Sequence, residues 1–435
     1  MEKIRIGIFG LNRGCFNVKS ILWNGGEIVA ICDKNRRLRK DIEEITGHEI
    51  PFFENFDEFI KTPMDCVLLT NYFHEHAPYA IRCLEMGINV ISECTSNSTM
   101  AEGVALVRAA EKSKARYFLA ENYPFMQSCC EMRRVYREGS LGKLMFAEGE
   151  YNHPGSPYYN TSDLSGLKYT ISLFDNEKHW RNHLPATYYI THSLAPLMYM
   201  TGAFPKRVCA FATFMPEPAD SDSYSYNGDK NAIIMTQNDD GSVYRITGCA
   251  SFGTREDSYR ICGTKGQMET MRDRSEKVML NYNSWDTPKE SEKSRCYFPG
   301  IFEKDKDSEY IMQTGHSGSD FVVIREIFDS IRNNTPFELD EYFATSMASV
   351  AILAHRSILY GGKHYDIPDF HLESDREKWE NDHQSPFYYS DGREPNIPCC
   401  SHTEYRPSKQ QKENFEKWRR KYENGEFDDV DNIKG

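Results

Sequence analysis

Along the first third of the chain, short apolar runs alternate with longer stretches of helical period. Ile4–Phe9, Ile28–Cys32, Cys66–Leu69, Val90–Ile91 and Tyr117–Ala120 are almost continuously apolar, the pattern of strands buried on both faces. The helices between the later runs have legible ends: Pro78 sits in a first turn and Gly87 closes that helix. Thr99 and Glu102 have the spacing of a capping box, and Val104 and Val107 behind them share a face. Strand and helix in alternation predict βαβ units, hence a parallel sheet covered on both sides.

After Gly142 the period changes to two. Met145, Ala147, Gly149, Tyr151 and His153 fall on one face of a strand. Further strands are predicted over Val208–Phe214, Ala232–Gln237, Ser242–Ala250, Ser258–Gly263 and Val278–Tyr282, with turns at Asn238–Gly241 and Thr264–Gly266. This is a mostly antiparallel sheet, followed by helices over Phe321–Arg332 and Thr345–Leu359. The segment Gly155–Lys178 has little periodicity and is long for a connection, so it reads as a lid. The polar C-terminus carries one helical stretch starting at Pro407-Ser408, with Phe415, Trp418 and Tyr422 on a face and Gly425 at its end. It reads as an arm packed on the body or on a neighbouring subunit.

Composition narrows the class. A chain of 435 residues accommodates two domains and an appendage, and 39% hydrophobic with 27% charged residues is ordinary for a soluble globular protein. No apolar run approaches a membrane span, so no membrane partner is expected. The N-terminus lacks a charged segment followed by an apolar one, so no secretory signal is expected. A net charge of −13 without a basic block argues against nucleic acid as partner. The 13 cysteines are odd in number and form no CxxC, which reads as reduced thiols in a cytoplasmic protein. The sequons at Asn97, Asn160 and Asn333 are then chance matches.

Candidate chemistry collects at the strand ends. The first strand runs into Gly10-Leu11-Asn12-Arg13-Gly14. Glycine there suits a tight turn and close backbone approach to a pyrophosphate, although Asn12 and Cys15 stand where GxGxxG has glycines. The second strand ends at Asp33, about 20 residues on, where a carboxylate accepts the ribose hydroxyls of NAD and repels a 2′-phosphate. Later strands end in Thr70-Asn71 with His74-x-His76 nearby, in Glu93-Cys94-Thr95, and in Glu121-Asn122-Tyr123, all at the ligand-binding edge of an α/β sheet. Gly10, Asn12, Arg13, Gly14, Asp33, Thr70, Asn71, His76, Glu93 and Asn122 are the expected cofactor contacts. No third ligand is spaced to join His74 and His76, so no metal is expected. In the second half His179-Trp180-Arg181 and Tyr189-Ile190-Thr191-His192 are dense in groups that bind polyols or move protons. Ser193–Pro196 reads as a helix start and Gly202 as its end, placing His192 at a helix N-terminus, where a neutral imidazole is favoured.

These motifs in this order resemble the glucose–fructose oxidoreductase/inositol dehydrogenase/MocA family over roughly residues 3–370. They include Asp33, Glu93-x-Thr95 and the closing Gly315-His316-x-Gly318-Ser319-Asp320. The resemblance implies an N-terminal Rossmann α/β domain over residues 1–123, an α+β substrate and oligomerisation domain over 124–370, and the arm over 371–435. It also implies NAD as cofactor, a carbohydrate substrate, and a homodimer or homotetramer. The family's lysine in Glu-Lys-Pro is replaced here by Cys94. One branch that lacks this lysine is glycoside hydrolase family 109. Its motifs resemble Glu121-Asn122, Tyr151-Asn152-His153, Trp180-Arg181 and Tyr189-Ile190-Thr191-His192, with departures at Ile190, Ser193 and Ala195.

That resemblance implies oxidation of a glycoside at C3, elimination across C2 and C1, hydration, and reduction, with tightly held NAD and no net redox change. Expected catalytic residues are His192, Tyr151, His153, Tyr189 and Glu121, and expected substrate contacts are Arg181, Trp180 and His179. Two other readings stay open on the sequence: a sugar 3-dehydrogenase releasing a keto product, and a non-catalytic nucleotide-binding sensor.

Overall fold

The computed structural model describes residues 3–159, 176–272, 274–424 and 426. The expected lid thus lies largely outside the described residues, as does Gly425. The first half forms a six-stranded sheet of order β3-β2-β1-β4-β5-β6. Its strands are β1 (Ile4–Phe9), β2 (Gly26–Cys32), β3 (Phe52–Phe53), β4 (Cys66–Leu69), β5 (Asn89–Ser92) and β6 (Tyr117–Leu119), all parallel. The two-residue edge strand β3 was not anticipated, because two residues carry no periodicity. The apolar runs are buried as expected; every residue of β4 is buried. The capping box of Thr99 and Glu102 is present at the helix Met100–Lys112.

The strand order reverses between β1 and β4, and this is where the glycine turn sits. Gly10 has φ +95°, and a Cβ there would lie 2.4 Å from the backbone of Thr70 and Asn71. Only glycine lets the turn after β1 lie against the end of β4.

The second sheet has nine strands in the order β14-β13-β12-β11-β7-β10-β9-β8-β15. They are β7 (Leu144–Asn152), β8 (Pro205–Phe214), β9 (Asp229–Asn238), β10 (Val243–Ala250), β11 (Glu256–Gly263), β12 (Gly266–Met271), β13 (Arg274–Tyr282), β14 (Ser294–Tyr297) and β15 (Tyr365–Asp366). All pairings are antiparallel except β7 with β10. The sequence reading missed β12, β14 and β15. It also placed Met145 on one face with Ala147, Gly149 and Tyr151, whereas Met145 is 59% exposed and Ala147 and Tyr151 are buried. Leu144 pairs with Gly263 and Phe146 with Cys262, so Met145 is the extra residue of a bulge and turns outward.

Central strand β7 carries the helix Thr191–Thr201 on one face. A Cβ on Gly149 would come 2.0 Å from the carbonyl oxygen of Ser193, so this helix lies directly on the strand. Glu148 and Glu150 on the other face pair with Arg245, and Glu150 also pairs with Arg272. On that open face Phe211 pairs across with Ile233, both exposed.

The chain then returns to the first half. In the helix Ser319–Asn333, Phe321 accepts a bond from Asn24 through its carbonyl, and Arg332 donates to the Asn24 carbonyl. The arm also packs on the body: Ser390 binds Glu75 through its N–H and hydroxyl, His74 meets the Tyr388 carbonyl at 2.8 Å, and Phe387 is fully buried. Its helix Lys409–Glu423 is capped by Ser408 and Gln411 and buries Phe415 and Trp418.

Candidate active site

The carboxyl edge of β6 meets the helix Thr191–Thr201, and the site is built there. Glu121 follows β6 and is 1% exposed. Its Oε1 accepts the Nδ1–H of His192 at 2.7 Å. Burial pushes this carboxyl up, but the charge and hydrogen bond of His192 outweigh it and hold Glu121 below the usual carboxylate value. With Nδ1 engaged, Nε2 is the ring atom left to meet a substrate proton.

His192 is fixed from its backbone as well. The helix starts two residues earlier than the sequence suggested, so Pro196 lies inside it. A proline nitrogen cannot bond the carbonyl four residues back, which is that of His192. The Tyr259 hydroxyl takes this carbonyl instead, donating at 2.6 Å.

Aromatic rings wall the site. Tyr123 stacks on His192 with centroids 4.0 Å apart, Tyr151 meets it edge-on at 4.8 Å, and Tyr189 edge-on at 5.3 Å. Burial raises the Tyr123 and Tyr189 phenols, so both stay protonated and serve as donors. His153 lies just past β7, stacked on Tyr151 at 5.6 Å and exposed. Partial desolvation and the nearby Arg255, His192 and Arg181 push it down to about 4. Of the expected set, Glu121, Tyr151, His153, Tyr189 and His192 are thus brought together, with Arg181 within charge reach of His153.

His179 and Trp180 sit differently from Arg181. His179 accepts the Arg181 N–H through Nδ1 and caps the short helix Trp180–His183, and Trp180 stacks on Phe73 at 5.1 Å. Both are buried. Arg181 is exposed, its guanidinium over the Trp180 ring.

The expected cofactor contacts gather where β1, β4, β5 and β6 end. Arg13 donates to Glu93 at 2.7 Å; burial alone would lower the guanidinium, but Glu93 and Asp320 outweigh it and raise it. Gly14 packs against Ile8 and Thr70, and Thr70 donates to the Gly10 carbonyl at 2.5 Å. Asn12 is exposed on the turn. Asp33 accepts the Leu11 N–H at 2.6 Å, which ties the end of β2 to the glycine turn. His76 is buried, with Nδ1 2.9 Å from the Thr95 carbonyl. Asn122 donates to Asp320 at 2.5 Å. A dinucleotide fits this edge on two observations. The glycine turn has no room for a Cβ, and both amide atoms of Asn71 are buried without a hydrogen-bond partner among the described residues.

Sequence reasoning missed four groups. Tyr123 was noted only as part of a strand end. Asp257 stands opposite Tyr151 in the β7–β11 ladder, and burial raises its carboxyl against the pull of His192, Arg255 and His316. Tyr259 anchors His192. His316 and Asp320 were read as a family motif without a role; their i, i+4 spacing was the available signal. Cys94, in place of the family lysine, is buried, and its thiol is pushed well up by burial and the carboxylates of Glu121 and Glu93.

Comparison with known proteins agrees with this architecture. Residues 4–121 match the oxidoreductase family NAD-binding Rossmann fold, and residues 217–381 match the glycosyl hydrolase 109 C-terminal domain. A glycosyl hydrolase family 109 protein of Shewanella pealeana is 22% identical over 405 residues, covering 85% of this chain and 86% of the relative. An alpha-N-acetylgalactosaminidase of Shewanella oneidensis is 23% identical over 429 residues, covering 88% and 87%. Among solved structures, levoglucosan dehydrogenase in complex with NADH and levoglucosan superimposes with a TM-score of 0.70 at 17% identity, covering 85% of this chain and all of that one. An Agrobacterium radiobacter oxidoreductase in complex with NAD+, L-tartaric acid and magnesium gives 0.63 at 14%, covering 84% and 98%.

Proposed function

For a chain that joins a Gfo/Idh/MocA NAD-binding domain to a glycosyl hydrolase 109 C-terminal domain, we propose an NAD-dependent glycosidase. It oxidises C3 of a glycoside, eliminates the group on C1, adds water, and reduces C3 again. The observation that carries this reading is the buried Glu121–His192 pair at 2.7 Å, ringed by Tyr123, Tyr151 and Tyr189 at the carboxyl edge of the Rossmann sheet.

NAD, when bound, supplies the hydride acceptor for C3 and returns the hydride at the end. Gly10, Asn12, Arg13, Gly14, Asp33, Thr70, Asn71, His76, Glu93 and Asn122 would hold it. His192 Nε2 takes the C3 hydroxyl proton, and Glu121 stabilises the imidazolium that forms. This supplies the acid/base function for which the family uses a lysine; the buried Cys94 thiol, pushed well up, is unsuited to it. Tyr189, protonated throughout, donates to a sugar oxygen. Tyr151 and His153 stand towards C2 and C1, Tyr151 as donor to the leaving oxygen, and Arg181, with Trp180 and His179 behind it, orients the ring hydroxyls.

The proposal extends to domain limits at residues 123 and 370, a cytoplasmic location and a homodimer or homotetramer. Twelve free cysteines among the described residues support a reducing compartment. The exposed Phe211–Ile233 pair on the open sheet face supports self-association. No helix among the described residues is long and apolar enough to cross a membrane.

Proton NMR of α- and β-glycosides with the enzyme and NAD in deuterated water tests the reaction. Free sugar carrying deuterium at C2, without accumulating reduced cofactor, is the expected result. A 3-keto glycoside formed in step with reduced cofactor would make the protein a 3-dehydrogenase and end the hydrolase reading.

A further inference from the structure

His192–Glu121 has a counterpart beside Tyr123, the ring that stacks on His192. His316 Nδ1 lies 2.9 Å from Asp320 Oδ2 and 3.1 Å from its Oδ1, and the His316 ring is 5.7 Å from that of Tyr123. Consecutive residues at the end of β6 hold both pairs: Glu121 accepts from His192, and Asn122 donates to Asp320. Burial pushes the Asp320 carboxyl up, but the His316 bond, Arg13 and Asn122 outweigh it and keep it lowered.

The backbone presents His316 in an uncommon way. His316 and Ser317 have φ of 51° and 54°, and Gly318 has φ 94°. Two successive non-glycine residues in the left-handed region persist only when their surroundings hold them there. What holds them is the Ser319 hydroxyl on the His316 carbonyl and the ring on Asp320. The turn holds the ring half-buried, within electrostatic reach of Asp257 and His153.

The reaction proposed above needs a second base. His192 takes the C3 hydroxyl proton and must keep it until C3 is reduced, so it is occupied when C2 is deprotonated. The phenols of Tyr123 and Tyr189 stay protonated, and His153, pushed down to about 4, is a weak base. We propose that His316, held by Asp320, is this second proton-transfer residue and acts at C2.

This rests on the C3-oxidation reading. In the 3-keto glycoside, His316 Nε2 removes the C2 proton, and the C2–H electron pair forms the C1=C2 bond. The C1–O bond breaks, and the leaving oxygen takes a proton from the Tyr151 hydroxyl. Water then adds to C1 of the enone as its proton re-forms the Tyr151 hydroxyl, and His316 returns its proton to C2, so the site ends as it began. The two histidines divide the work: His192 serves hydride transfer, and His316 serves elimination and hydration.

The test is the variant His316→Asn, chosen because asparagine tolerates the left-handed backbone and its amide still reaches Asp320 while offering no base. The probes are 4-nitrophenyl α- and β-glycosides in deuterated water. The three readouts are the single-turnover rise of reduced cofactor, deuterium entry at C2, and release of 4-nitrophenol. We expect the first to stay within about 3-fold of wild type while exchange and release fall by about 100-fold or more. His316→Gly should show the same split, with exchange recovered by added imidazole. NAD affinity, read by protein fluorescence, checks that both variants fold.

Equal loss of all three readouts, or loss of NAD affinity, would overturn the proposal and make His316 part of the cofactor support. Unchanged exchange in His316→Asn, with exchange lost in Asp257→Asn, would give the role to Asp257. Reduction of NAD by wild type without any C2 exchange would overturn the role of His316 while leaving C3 oxidation standing. No reduction by wild type with any probe would overturn both readings together.

Discussion

Replacing Glu121 by glutamine removes one charge from the site and little else. The side chain keeps its length, and its amide oxygen can still accept the His192 Nδ1–H across the same 2.7 Å. The Coulomb stabilisation of the imidazolium is lost. For unit charges about 4 Å apart at an effective dielectric near 20, this amounts to about 4 kcal/mol. Proton transfer to His192 is incomplete in the transition state, and half of the full charge gives about 2 kcal/mol. At about 1.4 kcal/mol per decade, Glu121→Gln should slow hydride transfer by roughly 30-fold, and by up to about 1,000-fold if transfer is nearly complete. The assay is stopped-flow formation of reduced cofactor in a single turnover. NAD affinity, read separately, should change by less than about 2-fold, because a group acting only in the transition state leaves ground-state binding alone. A loss of hydride transfer below about 3-fold would refute the reasoning, since a buried carboxylate at this distance could not then be stabilising charge on His192. A matching loss of NAD affinity would refute it differently, placing Glu121 in the cofactor site.

Gly10→Ala puts a Cβ 2.4 Å from the backbone of Thr70 and Asn71 at φ +95°; we expect NAD binding to weaken by about 10-fold or more, since the left-handed penalty alone is about 1–2 kcal/mol, and unchanged calorimetric affinity would contradict it. Tyr259→Phe leaves the His192 carbonyl, already without its helical partner because of Pro196, unpaired in the core. It should cost about 1–3 kcal/mol in urea unfolding, and an unchanged midpoint would show that the carbonyl is satisfied otherwise. His74 and His355 are buried and pushed from 6.5 down to about 3 and about 4, first by desolvation. Being depressed in the folded state, they contribute stability that is complete above pH 6.5 and is lost as pH falls towards those values. Each should add a slope of about 1.4 kcal/mol per pH unit below pH 6; His355→Gln should flatten the slope of unfolding free energy by that amount between pH 6 and 5, and an equally steep slope would be the contrary result.

The sequence by itself determined the architecture of the first half and pointed to many of the residues that the fold gathers in the candidate site. A parallel strand buried on both faces must be apolar throughout, so β1, β4 and the core of β2 stand out as runs without any partner being known. The turn after β1, the carboxylate after β2, and the acid–amide pair Glu121-Asn122 after β6 are local features. A helix N-terminus is local too, and placed His192 where it is. The two-residue strands β3 and β15 and the bulge at Met145 were not legible, because pairing with a neighbour defines them and two residues have no period.

Only the tertiary structure decided which groups face one another. Glu121 and His192 are 71 positions apart, and Asn122 and Asp320 are 198 apart. The ladder register alone sets Asp257 across from Tyr151; a shift of one residue would turn it to the opposite face of the sheet. Pro196 and Tyr259 become one device only because Gly149 lets the helix lie on β7 with its freed carbonyl towards β11. The return of the helix Ser319–Asn333 to the first half brings His316 to the same aromatic wall as His192. Periodicity reports what each segment buries, a property of neighbours in sequence. A site is made where buried faces meet, and which faces meet is fixed by packing, strand register and the few positions where a missing side chain allows close approach.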